Sequence, residues 1–77
     1  VPAEPPPPWL MRQRRQVGHR IRDLREAAEL SQEQLAYRAE ISRDSVLRTE
    51  NAAHSPSLDT LARIARALGV ELGSLFN

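Results

Sequence analysis

At 77 residues the chain makes one domain at most, and folding buries only about 60% of the surface that so short a chain exposes when unfolded. It has no cysteine, and its two histidines, His19 and His54, have no ligand partners at metal spacing, so disulfides, a metal and a cofactor are not expected. The formal net charge of +1 is less telling than its distribution: all eleven basic residues are arginine, six fall between Arg12 and Arg25, and from Glu26 onward eight acidic residues outnumber five arginines.

The opening VPAEPPPP carries four successive prolines, which cannot donate backbone hydrogen bonds and favour an extended polyproline conformation. It is not the basic-then-apolar pattern of a secretory leader. With Arg12, Arg14 and Arg15 it reads as a flexible arm over residues 1–16, ahead of a folded domain at 17–77. Trp9, Leu10 and Met11 either pack back onto that domain or extend its first helix. Helix 1 is predicted from Val17 to Ala28, with Val17, Ile21, Leu24 and Ala28 on its buried face. Helix 2 follows Ser31, which forms a capping box with Gln34, and buries Leu35, Ala36 and Ala39. Glu40 and Ile41 make a tight turn, and helix 3 starts after a second N-cap, Ser42, with Val46 inward. A polar loop from Asn51 ends at Pro56. Helix 4 follows the cap Ser57, carries Leu58, Leu61, Ala62, Ala65 and Leu68 at helical spacing, and stops at Gly69. Val70 to Phe76 completes a short fifth helix. No segment alternates like a strand, no run approaches the ~20 apolar residues of a membrane span, and the fold class is all-α.

The informative stretch is Leu30 to Asn51. Two short capped helices joined by a three- or four-residue turn need small residues where they touch, and Ala36 and Ala39 supply them. An ordinary helical hairpin has the same alanines. The turn spacing, the cap at each helix start, the polar face of helix 3 and the polar start of helix 2 together point instead to a pair built to project the second helix into the DNA major groove.

Gly18 to Phe76 resembles the Cro/repressor-type helix-turn-helix family, the xenobiotic-response-element class. The residues that carry the likeness are Ile21-Arg22-Asp23-Leu24-Arg25, Leu30-Ser31-Gln32-Glu33-Gln34-Leu35-Ala36, Ile41-Ser42-Arg43, Glu50-Asn51, Pro56-Ser57-Leu58, Leu61-Ala62 and Ala65-Leu68-Gly69-Val70. The resemblance implies a compact five-helix, lambda-repressor-like domain with the helix-turn-helix at helices 2 and 3, and helix 3 as the recognition helix. Arg43, Asp44, Leu47 and Arg48 are its expected base-reading face: the arginines can fork onto guanine, Asp44 can accept from cytosine, and Leu47 can meet a thymine methyl. Either arginine could instead take a phosphate, and Asp44 could simply favour the helix dipole. Ser31, Gln32 and Asn51 match phosphate-contacting positions of the family, and Ser45 either joins them or caps locally. His54 approaches the backbone or stays solvated. Arg25 and Glu50 match a structural ion pair. Arg12, Arg14 and Arg15 are candidates for a DNA arm.

Three positions depart from the family pattern. Glu40 and Ala52 stand where glycine is usual, and a left-handed Glu40 would be strained by about 1–2 kcal/mol. Thr49 occupies a position that is normally apolar. The expected function is sequence-specific binding of double-stranded DNA by a repressor-like transcriptional regulator, as a homodimer on a near-palindromic operator, in the cytoplasm at the nucleoid. A protein-interaction or antitoxin-type module on the same fold is the alternative, and a protein partner or a separate effector domain is compatible with either. No nucleophile–base pair, carboxylate pair or phosphate-cradling glycine loop is present, so an enzyme is not expected.

Overall fold

The computed structural model describes residues 4–77. Four α-helices and a terminal 3-10 helix follow in chain order: α1 Pro8–Ala27, α2 Gln32–Ala39, α3 Arg43–Glu50, α4 Leu58–Leu68 and the 3-10 helix Leu72–Phe76. No strand occurs among the described residues. The fifth helix expected from sequence is therefore a 3-10 turn rather than an α-helix. It is tied to the domain by the fully buried Leu75 and by a hydrogen bond from Arg20 Nε to the Ser74 carbonyl, 2.9 Å.

Helix α1 begins at Pro8, well before the expected Val17. Proline is at home in a first turn, where its missing N–H has no intrahelical partner to lose and its fixed φ is already helical. The Pro7 carbonyl accepts from Leu10 and Met11 and starts the ladder. Trp9 to Gln16 thus extend the first helix, and Arg12, Arg14 and Arg15 sit on helical turns rather than on an extended strand of arm.

All three predicted N-caps form. Ser31, Ser42 and Ser57 accept from the backbone N–H of Gln34, Ser45 and Thr60, and Gln34 completes its capping box by accepting from the Ser31 N–H. All four α-helices end alike. A left-handed residue (Glu29, Glu40, Ala52, Gly69) turns the chain, and the next N–H returns to a carbonyl five residues back: Leu30 to Arg25, Ile41 to Ala36, Ala53 to Arg48, Val70 to Ala65. This double closure satisfies carbonyls that a helix end leaves open, and at three of the four ends it turns the following side chain inward. Leu30 is buried, and Ile41 and Val70 pack against the core.

The core gathers Val17 and Ile21 of α1, Leu35, Ala36 and Ala39 of α2, Val46 of α3, Leu61, Ile64 and Ala65 of α4, and Leu75. Helix α4 is rotated from the expected face. Ile64 is fully buried, whereas Leu58 and Ala62 are exposed. Ala28, expected inside, lies exposed past the end of α1. Helix α2 packs on both α3 and α4, and α1 crosses α3 and the 3-10 helix.

Candidate nucleic-acid interface

The turn between α2 and α3 is set by Glu40, whose φ of 57° places it in the left-handed region, a conformation that a Cβ disfavours by about 1–2 kcal/mol. Ala52 adopts the same φ of 57° after α3. At each, the helix end needs the left-handed turn and the chain supplies it without glycine.

Helix α3 has two faces that share no residue. Val46, Thr49 and Glu50 are buried; Arg43, Asp44 and Arg48 are exposed; Ser45 and Leu47 are half-buried at the border. Of the base-reading candidates, Arg48 and Asp44 pair with each other across one turn, Nη1 to Oδ2 3.8 Å. So exposed a pair is worth about 0.3–0.5 kcal/mol and leaves both side chains free to exchange partners. Leu47 offers part of its side chain. Ser45 lies in the N-terminal turn, where its hydroxyl oxygen accepts from Ser42 at 2.9 Å and keeps its own proton to donate.

The inner face carries the charge that orients the helix. Helix α1 passes so close to the end of α3 that a Cβ on Gly18 would sit 2.6 Å from the Glu50 carbonyl oxygen and 2.7 Å from that of Thr49. Gly18, Arg22 and Arg25 lie at i, i+4 and i+7 on one stripe of α1, so the approach at Gly18 brings both guanidinium groups to the Glu50 carboxylate. Arg25 grips it with a fork, Nε to Oε2 at 2.7 Å and Nη2 to Oε1 at 3.0 Å. Its third nitrogen holds the Leu30 carbonyl at 2.9 Å, which ties the fork to the end of α1. Gln32 Nε2 donates to Oε1 at 3.2 Å, and Arg22 Nε donates to the same oxygen at 3.4 Å. Arg22 Nη2 also donates to Asn51 Oδ1 at 3.0 Å. Burial pushes the Glu50 carboxyl up, but the hydrogen bonds from Arg25 and Gln32, the Arg25 charge and the Arg22 bond outweigh it, and the group is held below its ordinary value. The same carboxylate raises the Arg25 pKa. Glu50 is therefore an anion held by hydrogen bonds from three side chains, Arg25, Gln32 and Arg22. The sequence points to the Arg25–Glu50 pair and to phosphate contacts for Gln32 and Asn51; in the fold Gln32 also donates to Glu50, and Asn51 accepts from Arg22.

Thr49 is buried despite its hydroxyl, which is satisfied by His54 Nε2 at 3.2 Å. Burial, then the charges of Arg48 and Arg14, lower the His54 pKa against a weaker opposing pull from Asp44. His54 and Arg14 line a cleft of about 150 Å³ with Val17, Leu61 and Phe76. Of the three arm arginines, Arg12 and Arg15 are exposed and Arg14 is half-buried, its Nε without a partner. Spacing gave no signal for the Thr49–His54 contact; the polar residue at an apolar position was the available clue.

A family of helix-turn-helix domains matches residues 16–75. The chain belongs to the helix-turn-helix domain family. Among curated relatives, it is 39% identical over 59 residues to the immunity repressor protein of Bacillus phage phi105, spanning 77% of this chain and 41% of that protein. It is 45% identical over 51 residues to an HTH-type transcriptional regulator of Methanothermobacter thermautotrophicus, spanning 66% of this chain and 74% of the relative. Among solved structures, the restriction-modification controller protein C.AhdI from Aeromonas hydrophila superposes with a TM-score of 0.80 at 36% identity, covering 82% of this chain and 96% of that one. This helix-turn-helix domain is thus a DNA-binding fold whose relatives are regulators of transcription. No helix among its described residues is long and apolar enough to cross a membrane.

Proposed function

We propose that this helix-turn-helix domain binds duplex DNA sequence-specifically as the reading head of a repressor-like transcriptional regulator. The observation that carries this is the exposed face of α3: two arginines and an aspartate stand free of the core, on a helix whose opposite face is pinned by Glu50 to α1 and α2. In this reading Arg43, Asp44, Leu47 and Arg48 meet base edges, Ser31, Gln32, Ser45 and Asn51 meet phosphates, and Arg12 and Arg15 add positive charge along α1. Two copies bind a near-palindrome with their recognition helices about 34–36 Å apart. The exposed Leu58 and Phe76 supply apolar surface for a two-fold contact. The working place of such a regulator is the nucleoid.

The test is selection of bound duplexes from a randomised pool at near-physiological salt. Enrichment of a near-palindromic site with guanines at symmetric positions is expected. Arg43→Ala should then relax the preference at one position per half-site by about 1–3 kcal/mol. Weak, salt-sensitive binding without enrichment would overturn the reading in favour of a protein-interaction module.

A further inference from the structure

We infer that Arg22 is a phosphate clamp, held in readiness by Glu50 and Asn51 and transferred to the DNA backbone on binding. The inference rests on the DNA-binding reading and adds to it a residue that neither face of α3 contains.

The lone pairs of one oxygen rank the three donors. Glu50 Oε1 receives Arg25 Nη2 at 3.0 Å, Gln32 Nε2 at 3.2 Å and Arg22 Nε at 3.4 Å, while Oε2 receives Arg25 Nε at 2.7 Å. A carboxylate oxygen has two lone pairs, so three donors over-subscribe Oε1, and the longest of the three bonds is Arg22's. The charges give the same ranking. The Arg25 fork by itself neutralises Glu50, and its side chain is 12% exposed against 38% for Arg22. Arg22, Arg25 and Glu50 together carry one surplus positive charge, and it resides on the solvent-facing member.

Beside Arg22's contacts to Glu50 and Asn51 stand several unspent donors. Asn51 spends its carbonyl oxygen on Arg22 Nη2 and keeps its amide N–H groups. Gln32 spends one N–H on Glu50 and keeps the other. The capping box at the start of α2 takes the N–H groups of Ser31 and Gln34 and leaves those of Gln32 and Glu33 to solvent. A spare guanidinium between two amides, beside an open helix start, fits an anionic oxygen with no base identity, which is a phosphodiester. Asn51 holds the guanidinium in place before the DNA arrives, so little side-chain freedom remains to be lost.

The test is the salt dependence of binding, by fluorescence anisotropy on the enriched duplex, for the wild type, Arg22→Gln, Arg22→Lys and Arg66→Gln. Arg66 is an exposed arginine of α4 and controls for loss of net charge. Each phosphate neutralised adds about 0.9 to the slope of log affinity against log salt. The wild type should therefore lose about 3.5-fold more affinity per half-site than Arg22→Gln between about 50 and 200 mM salt. Arg22→Lys should keep the wild-type slope, Arg66→Gln should leave it unchanged, and the ranking of base preferences should be the same in all four. Arg22→Gln should melt within about 4 °C of the wild type, since the contact it loses is half-exposed. Binding by the wild type with an unaltered slope in Arg22→Gln overturns the clamp and leaves the DNA-binding reading standing. Absence of binding by the wild type overturns both.

Discussion

Removing the Glu50 carboxylate should cost this domain a large share of its stability. The variant Glu50→Ala leaves Arg25, whose side chain is 12% exposed, facing a void where its fork closed at 2.7 and 3.0 Å. Breaking one side of a buried pair costs about 3–5 kcal/mol, because the partner left behind remains desolvated. Two features place the loss near the lower end. Arg25 keeps its bond to the Leu30 carbonyl, and Arg22, more than a third exposed, rehydrates. A loss of about 3 kcal/mol corresponds to about 12–24 °C in a domain of this size, out of a total stability of about 5–15 kcal/mol. The assay is thermal unfolding followed by far-UV circular dichroism at near-neutral pH, repeated toward acid. The folded Glu50 carboxyl lies below its ordinary value, so its contribution is present above about pH 4.3 and is lost as the pH falls through the lower folded value. Wild type should lose stability over that acid range, and Glu50→Ala should lose less there because it has less to lose. A melting temperature within about 4 °C of wild type, or an identical acid limb, would refute the reasoning.

Glu40→Gly should raise the melting temperature: relief of the left-handed strain, about 1–2 kcal/mol, outweighs loss of the exposed Glu40–Arg63 contact at 3.5 Å. A lower melting temperature would show that the turn gains more from its side chain than it loses in strain. Gly18→Ala, a change that stabilises an ordinary helix interior, should instead destabilise by about 1–3 kcal/mol because the new Cβ meets two carbonyls of α3. It should weaken DNA binding as well, and chemical denaturation with a binding titration tests both. The His54 pKa is depressed in the fold, so the unfolded chain takes up the proton first, and stability should fall as the pH drops below about 6.5. His54→Gln should flatten that slope in urea titrations at a series of pH values.

Much of the fold was legible because its signals are local. A serine hydroxyl has to find a backbone N–H within one turn, so Ser31, Ser42 and Ser57 marked three helix starts. Gly69 marked a helix end for the same kind of reason. What escaped was set by distance or by rotation. Four successive prolines point to an extended leader, yet Pro8 sits in the one turn of a helix that tolerates proline, so α1 starts earlier than its apolar spacing indicates. Leu58 and Ala62 share helical spacing with Leu61 and Ala65, but the packing of α4 turned Ile64 inward instead. The Arg25–Glu50 pairing was expected through family resemblance; that Gln32 and Arg22 converge on the same carboxylate depends on the crossing of α1 over α3. Thr49 looked like a flaw in the sequence and is a hydrogen-bond partner for His54, five residues on.

The division of α3 has a consequence for how such a protein can change over generations. The residues that anchor the helix, Val46, Thr49 and Glu50, lie inside, and the free residues Arg43, Asp44 and Arg48 lie outside. Substitutions on the outer set touch no core contact, so on the proposed base-reading role a lineage would drift among operators one base pair at a time while the scaffold stays intact. On the same reading a duplicated copy would need only a few outward changes to take a different target, and two such copies would diverge without first passing through an unfolded intermediate.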